Sequence, residues 1–453
     1  MFIGIDDTDS ERGLCTTYLA AVLMDRLQAH GEIKGLPKLI RLNPCARYKT
    51  RGNAALAFEL QSDRPEEVRD VALRTLLELS DFSGGNTNPG LVIAEELTAE
   101  VAAKMRDFYR RAVTEILEIR EARELLDDEG IWYRGFKKGR GLIGAVAAIG
   151  ADLPDFTYEL IAYRERARWG TPRRIDAASV WRADAATYPR TWDTVDHHNK
   201  RIVFAPHSKD PVLFGIRGSD PDAIREAFQI IESEPRERSV LYRTNQGTDA
   251  HILNACSGTI GDHVVWDGSG EGRAGAGTRA GAESKSQAKA AIKESQSYRL
   301  HGIVAGTVSA ISKGHLFFPL QNESKNCSIT CAAFEPTKNF RSIVKQLCPG
   351  DELEVYGSVQ EGTLNLEKLN VLHLAEREEM VVPLCPECQR SMESSGKGQG
   401  YRCRRCKTHA AGRVPKLLPC HLETGYYEVP PCARRHLSKP LVRCRDGRVH
   451  PSR

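Results

Sequence analysis

The sequence predicts a multidomain α+β protein, and three observations carry that prediction. Strand-like and helix-like runs alternate over residues 1–255, a pattern typical of sheets covered by helices. Residues 298–376 are dense in β-type residues, and two Cys-x-x-Cys pairs follow them. At 453 residues the chain is long enough for about three or four domains of ordinary size.

The first 255 residues predict two α/β units, which we divide into residues 1–121 and 122–255. In the first unit, short apolar runs predict strands, and amphipathic spacing predicts helices at 17–28, 65–79 and, as one long helix, 99–120. The strands of this unit are predicted at 2–5, 54–60 and 91–94. In the second unit, strands are predicted at 156–163 and 201–205, and a helix at 221–232.

A Gly/Ala-rich segment at 256–297 separates these units from the remainder. It holds six glycines between residues 268 and 281 and almost no large apolar side chain over 267–297. Such a composition cannot bury enough surface to offset the entropy of ordering, so we expect a flexible linker or exposed insertion.

Residues 298–376 predict a small β-barrel. Five strand-like runs occur there, and a helix at 337–347 lies between the third and the fourth. This is the strand and helix order of an OB-fold, a barrel that often binds oligonucleotides.

The cysteine pairs predict a zinc ribbon at 377–412. Cys385 and Cys388 are separated by fourteen residues from Cys403 and Cys406, and four thiolates at this spacing suit a tetrahedral structural Zn²⁺. A redox dithiol would need only one such pair.

Charge predicts the kind of partner and excludes other classes. The net charge of +4 divides into −7 over residues 1–389 and +11 over 390–453, so we expect a polyanion at the basic C-terminal tail, 413–453. The longest apolar run, 141–151, is too short for a membrane span, and the acidic start is unlike a signal peptide. Thirteen cysteines without a secretory signal predict a reducing, cytoplasmic location.

Three carboxylates follow the first predicted strand: Asp6, Asp7 and Asp9. They could hold Mg²⁺ and phosphate, because a cation would relieve their repulsion, or they could form an acidic turn that caps the next helix. The hydroxyl of Thr16 stands at the start of that helix, where local sequence favours an N-cap over a phosphate acceptor.

Basic and polar turns could complete a phosphate site. Lys137, Lys138 and Arg140 surround the first glycines of Gly-x-Gly-x-x-Gly at 139–144. This indicates either a loop that binds phosphate or glycines that allow close helix packing. Two further turns carry candidate ligands, Lys49, Arg51 and Asn88, although each alone reads as a plain loop. Farther on, Asp193 and Asp196 beside Trp192 could bind a cationic substrate.

Taken together, these motifs resemble the archaeal tRNA(Ile)-2-agmatinylcytidine synthetase family. The resemblance covers nearly the whole chain and rests on GIDDTDSERGLCTTYLA, RLNPCARYKTRGN, NTNPG, KKGRGLIGA, CAAFEPTKNFR, the cysteine pairs and YYEVPPCARRHLSKPL. It implies that the first two units are a kinase-like and a ferredoxin-like domain. The segment at 256–297 departs from the family as an apparent insertion.

The resemblance also implies an activity and roles for residues. It implies an ATP-dependent ligase that joins agmatine to the wobble cytidine of the AUA-reading isoleucine tRNA, whose anticodon is CAU, after phosphorylation of the cytosine 2-carbonyl oxygen. Asp6, Asp7 and Asp9 would hold Mg²⁺ and ATP, and Thr16 would be autophosphorylated, which reverses its N-cap interpretation. Lys137, Lys138 and Arg140 would clamp phosphate, and Asp196 with Asp193 would bind the agmatine guanidinium.

A second hypothesis is a non-catalytic RNA-binding factor, which an OB-fold and a zinc ribbon could support without the N-terminal half. The acidic cluster discriminates between the two hypotheses, because only the ligase requires it. The oligomeric state is left open by the sequence.

Overall fold

The computed structural model describes residues 1–10, 13–49, 52–207, 209–254, 292–311, 314–322, 327–445 and 447–453. Most of the segment at 256–297 lies outside these residues, as does Arg51. Within the described ranges, no helix combines the length and the apolar character needed to cross a membrane.

The two N-terminal units are built from seven helices and twelve strands in their described part. The helices are α1 (Thr16–Leu27), α2 (Pro65–Leu79), α3 (Ala99–Thr114), α4 (Ile119–Asp128), α5 (Gly141–Gly150), α6 (Ala177–Thr187) and α7 (Pro221–Ile230). The strands are β1 (Phe2–Asp6), β2 (Glu32–Arg41), β3 (Ala54–Gln61), β4 (Gly90–Ala94), β5 (Trp132–Gly135), β6 (Thr157–Arg164), β7 (Thr191–Trp192), β8 (Val195–Asp196), β9 (Arg201–Ile202), β10 (Val212–Gly218), β11 (Arg236–Thr244) and β12 (Ile252–Asn254).

Nine of these strands form one sheet in the order β5-β4-β1-β3-β2-β11-β6-β10-β7. The two predicted units therefore share a continuous sheet, joined where β2 and β11 pair in parallel. The strand β5 pairs with β4, and α5 packs on β1, β3 and β4. Residues 132–150 thus lie with the first half of the sheet, although the boundary at 121/122 would place them in the second unit.

Helices cover both faces of the first half of the sheet. One face packs under α1 and α2 around Ile5 and Phe58, and the other packs under α3, α4 and α5 around Val92. Eight of the ten residues of α5 are buried, as expected for a helix that is apolar on all sides. The helices α6 and α7 pack on the second half around Phe214.

The single helix predicted at 99–120 is wrong, because the chain forms two. α3 ends at Thr114 and α4 begins at Ile119. Glu118 starts the second helix through a capping box, in which its backbone N–H donates to Glu121 Oε1 at 3.0 Å. This reciprocal cap satisfies backbone donors that a helix start otherwise leaves unpaired, so it favours a new helix over a continued one.

Residues 297–373 form a closed five-stranded barrel. Its strands are β13 (Ser297–Val304), β15 (Leu316–Gln321), β16 (Ser328–Ala333), β17 (Glu352–Gln360) and β18 (Thr363–His373), with β14 (Ser309–Ala310) paired to β15. The barrel closes in the order β13-β15-β16-β18-β17-β13. Helix α8 (Phe340–Val344) lies between the third and fourth barrel strands, which confirms the predicted order, although it is shorter than the predicted 337–347.

The C-terminal part carries a small ribbon and then returns to the barrel. The ribbon contains β19 (Glu378–Val381), β20 (Glu393–Ser394), β21 (Tyr401–Arg402), β22 (His409–Ala410) and β23 (Val414–Leu417). Beyond it, β24 (Gly425–Glu428) pairs with β18, and β25 (Val449–His450) pairs with β24. Much of the predicted basic tail is therefore an integral part of the fold.

Candidate active site

The acidic cluster lies at the end of β1, against the start of α5. Asp6 is the last residue of that strand, and Asp7 adopts a left-handed backbone conformation with φ 57°. A side chain at Gly144 would place its Cβ 1.9 Å from Asp6 Oδ2, and one at Gly141 would lie 2.5 Å from Asp6 O. The glycines of residues 139–144 thus allow the helix to pack on the acidic strand, in agreement with the second interpretation of this motif.

Burial and mutual repulsion hold protons on this cluster. Burial, followed by the negative charges of Asp7 and Asp9, raises the pKa of Asp6 well above its usual range. Burial, together with Asp9, raises the pKa of Asp7 to about 7, although Arg140 and Asn88 oppose the shift. A bound cation would relieve this cost, because Mg²⁺ prefers carboxylate oxygens as ligands.

Thr16 lines a cavity that Asp6, Asp7 and Asp9 also line. Cys15 is the N-cap residue of α1, and its side chain makes no capping hydrogen bond, so the N-cap interpretation of Thr16 is wrong. Thr16 is 4% exposed, and its Oγ1 accepts from the hydroxyl of Thr8 at 3.1 Å. The loop after β1 therefore fixes this hydroxyl beside the acidic cluster.

The predicted phosphate ligands are brought together only in part. Arg140 lines the cavity, with its guanidinium carbon 4.7 Å from the ring centroid of Tyr48. Lys49 lines it as well, whereas Lys137 and Lys138 are exposed side chains outside its lining. Asn88 is buried and donates from Nδ2 to Asp7 Oδ2 at 3.4 Å, so it orients an acidic residue.

The two carboxylates proposed for a cationic substrate lie in different places. Asp193 lines the cavity and is paired with Arg434, while Arg217 Nη1 lies 3.9 Å from its Oδ2. Asp196 is fully buried behind the wall, where it accepts hydrogen bonds from the backbone N–H of Asn199 at 2.9 Å and of Cys432 at 3.3 Å. Burial alone would raise the pKa of Asp196, but hydrogen bonds from Cys432 and Asn199 hold it below its usual value.

One cavity of about 760 Å³ connects these groups. Its lining also holds residues that the sequence analysis did not name as candidate ligands, and they come from separate parts of the chain: Arg41 on β2, Glu159 on β6, Arg217 on β10, and Cys432, Arg434 and His436 in the C-terminal segment. Glu159 gave a signal as a carboxylate in an otherwise buried strand. Others lay in quoted motifs: Arg41 begins RLNPCARYKTRGN, and YYEVPPCARRHLSKPL contains Cys432, Arg434 and His436.

The four cysteines of the ribbon converge on one point. Their sulfur atoms all lie within 4.8 Å of one another, and Cys388 Sγ is 3.6 Å from Cys403 Sγ. A tetrahedral zinc with Zn–S bonds of about 2.3 Å requires sulfur separations of roughly 3.8 Å. The set therefore fits Zn²⁺, as predicted from the spacing.

Replacing Cys403 by serine should release about one zinc per chain, because three thiolates hold the ion far less tightly than four. Metal analysis of the purified protein measures this loss, and Cys420→Ser, at an exposed cysteine outside the cluster, is the matched control. Retention of zinc by the Cys403 variant would show that the ion binds elsewhere.

Comparisons with known proteins agree with this geometry. The profile of the TiaS TCKD domain matches residues 2–72, that of the TiaS FLD domain 139–251, and that of the TiaS C-terminal zinc ribbon domain 382–419. The isoleucine-tRNA 2-agmatinylcytidine synthetase TiaS of Methanosarcina mazei is 46% identical, with 100% of both chains covered. That of Archaeoglobus fulgidus is 42% identical over 98% of this chain and 97% of its own.

Solved structures show the same similarity. A complex of TiaS with its isoleucine tRNA and ATP matches with a TM-score of 0.87 and 40% identity, covering 100% of this chain and 99% of the other. A complex of TiaS with the same tRNA, AMPCPP and agmatine matches with a TM-score of 0.84 and 39% identity over the same shares. With full-length relatives at this identity, the chain belongs to the TiaS family of tRNA(Ile)-2-agmatinylcytidine synthetases.

Proposed function

We propose that this protein is a cytoplasmic, ATP-dependent carbon–nitrogen ligase that joins agmatine to C2 of the wobble cytidine of the AUA-reading isoleucine tRNA. The observation that carries the proposal is one cavity lined by both the acidic cluster and several basic side chains, in a chain whose relatives were crystallised with tRNA, ATP and agmatine. In this proposal the two N-terminal units are the kinase-like and ferredoxin-like domains, and the barrel is an OB-fold.

The nucleotide is assigned to the acidic side of the cavity. Asp6, Asp7 and Asp9 would hold Mg²⁺, which when bound neutralises charge on the ATP phosphates. Arg140 and Lys49, which line the cavity, would contact those phosphates directly. Lys137 and Lys138 stay in the proposed phosphate clamp by resemblance, and Arg51 stays in it as part of the basic turn. Asn88 would act through Asp7.

The chemistry follows from the poor reactivity of a ring carbonyl. Transfer of the γ-phosphoryl group to the cytosine 2-carbonyl oxygen turns that oxygen into a leaving group. The primary amine of agmatine then attacks C2, the C2–O bond breaks, and phosphate departs. Thr16 lies in the same cavity as the acidic cluster, as the autophosphorylation proposed for it requires.

The amine substrate is assigned to the wall that carries Asp193. A carboxylate is the natural partner of a guanidinium, because the two can form paired charge-assisted hydrogen bonds. Asp193 reaches the cavity, and Asp196 stands behind it as a support for the Asn199 and Cys432 backbone. In this proposal Asp193 contacts agmatine, and Asp196 holds the surrounding segment in place.

Incubation of the protein with ATP, Mg²⁺, labelled agmatine and a transcript of the isoleucine tRNA tests the function. We expect label in the tRNA and one phosphate released from ATP for each agmatine incorporated. A transcript with uridine at the wobble position is the matched control and should stay unlabelled. No label in the cytidine transcript, with zinc-loaded protein, would refute the ligase assignment.

The ribbon is proposed to contact RNA phosphates through exposed cations. Four basic side chains are exposed on it: Lys397, Arg402, Arg405 and Lys407. A deletion of residues 413–453 would not test this role, because it would also remove β24 from the barrel sheet. Glutamine at these four positions should weaken tRNA binding and flatten its salt dependence, by about one unit of slope for each phosphate that the variant no longer neutralises. Salt titrations measure this, and Arg74→Gln with Arg120→Gln, at exposed positions 76% and 74% accessible, is the control. An unchanged slope would exclude the ribbon as a main site of phosphate binding.

A further inference from the structure

The cavity contains a second polar cluster besides the acidic residues. Arg41 from β2, Arg217 from β10 and His436 from the C-terminal segment meet there around Glu159 of β6. The side chains of Arg41 and Arg217 are 12% and 20% exposed, and that of Glu159 is 5% exposed. None of these four residues is a candidate ligand in the sequence motifs.

Both guanidinium groups retain unused donors. Arg217 donates from Nε to Glu159 Oε1 at 3.3 Å and from Nη2 to His436 Nδ1 at 2.7 Å. Arg41 donates from Nε to Gln246 Oε1 at 3.2 Å and from Nη1 to the carbonyl of Gly52 at 3.1 Å. Since a guanidinium has five N–H donors, each arginine keeps about three without an acceptor among the described residues.

His436 adds a neutral donor. Arginine can only donate, so the hydrogen bond from Arg217 makes His436 Nδ1 an acceptor and places the imidazole proton on Nε2. Burial, then the nearby charges of Arg41, Arg217 and Lys49, lowers the pKa of His436 well below its usual value. Its Nε2–H has no acceptor among the described residues, and the residue lines the cavity.

Positive charge exceeds negative charge in this cluster. Arg41 and Arg217 share the single carboxylate of Glu159, whose Oε2 lies 3.8 Å from Arg41 Nη2 and also accepts from Gln246 at 2.5 Å. The neighbouring carboxylate of Asp193 is shared, because Arg434 is paired with it and Arg217 Nη1 lies 3.9 Å from its Oδ2. The unused N–H donors of Arg41 and Arg217 are costly in a partly buried site unless a ligand accepts from them, so this arrangement indicates an anion.

We propose that Arg41, Arg217 and His436 form a phosphate subsite that holds a backbone phosphodiester of the RNA next to the modified nucleotide. This inference rests on the proposed function. It favours RNA over ATP because the triphosphate belongs with the acidic cluster and Arg140. The position of the subsite also suits RNA. Arg435, next to His436, is bound to Glu367 and Ser358 of the barrel, so the subsite adjoins the domain proposed to be an OB-fold.

The absence of a side chain at Gly52 leaves room for the side chains of Arg41 and His436. A Cβ at this position would lie 2.2 Å from Arg41 Nη1 and 3.1 Å from His436 Nε2. A methyl group there would displace the guanidinium and crowd the imidazole donor. Gly52→Ala therefore alters the subsite without removing any charged group.

The test compares Arg217→Gln, His436→Asn and Gly52→Ala with Arg225→Gln, a control at an exposed position of α7. Affinities for the isoleucine tRNA transcript, at several salt concentrations, and for ATP are measured on full-length protein. We expect the Arg217 variant to bind tRNA about tenfold more weakly, with a salt slope reduced by about one, and to bind ATP within twofold of wild type. The other two variants should weaken tRNA binding about threefold to tenfold, and the control should not.

The remaining outcomes overturn the subsite. Weaker ATP binding with unchanged tRNA binding would show that the wall holds the nucleotide, and unchanged affinities would show that it holds no phosphate. If Arg217→Gln fails to fold, His436→Asn and Gly52→Ala decide by the same criteria. Failure of the proposed function has a different signature, because wild-type protein would then bind tRNA but incorporate no agmatine.

Discussion

Replacing Asp7 by asparagine should reduce agmatine incorporation by about a hundredfold to a thousandfold and leave tRNA affinity within about twofold. Asparagine keeps the size of the side chain and can still pair with Asn88, which donates to Asp7 Oδ2 at 3.4 Å. It removes the negative charge that Mg²⁺ requires. Because the tRNA phosphates are proposed to contact the ribbon and the subsite of Arg41, Arg217 and His436, and not the carboxylates, the loss should fall on the chemical step and on ATP affinity.

Single-turnover incorporation and tRNA binding, measured on the same preparations, separate these effects. Asp63→Asn is a suitable control, since the side chain of Asp63 is 95% exposed and distant from the cavity lining. If Asp7→Asn lost tRNA affinity and incorporation together, the acidic cluster would be part of RNA binding instead. Normal incorporation by the variant would remove Asp7 from the catalytic machinery.

Local motifs predicted those sites whose ligands are close neighbours in the sequence. The zinc cluster was predictable because each pair of ligands lies on one knuckle and four thiolates have few other uses. The acidic cluster was predictable because Asp6, Asp7 and Asp9 are adjacent in sequence. The strand β2 was missed because its first half is mostly exposed and irregular, with a register shift between Lys34 and Lys38.

The meeting of the second polar cluster in the cavity could not be predicted from local patterns. Arg41, Glu159, Arg217 and His436 are far apart in the chain and meet only because β2, β6 and β10 share a sheet and the C-terminal segment returns to it. The basic residues of that segment suggested a solvent-exposed tail, since charge alone does not show burial. Arg434 illustrates this, because its side chain is 3% exposed between Asp193 and Glu428.

The raised pKa values of the acidic cluster predict that the metal-free protein becomes less stable as pH rises from about 4 to about 7. Burial first, then Asp9, raises the pKa of Asp7 from 3.8 to about 7. In this window the folded protein holds a proton that the unfolded chain has released, so raising the pH favours unfolding. For Asp7, this rise in pKa corresponds to at most about 4 kcal/mol of unfolding free energy lost across the window. The raised pKa of Asp6 acts in the same direction.

Denaturant unfolding at pH 5, 6, 7 and 8, with and without Mg²⁺, measures this effect. We expect Asp7→Asn to be more stable than wild type at pH 8 and to show a smaller loss between pH 5 and 8, because it cannot ionise. Mg²⁺ should stabilise wild type increasingly as the pH rises, since it binds only the ionised carboxylates, and should stabilise the variant less. Parallel pH profiles for the two proteins would show that Asp7 is already ionised in the metal-free fold. That result would also remove the electrostatic argument for a cation at this cluster.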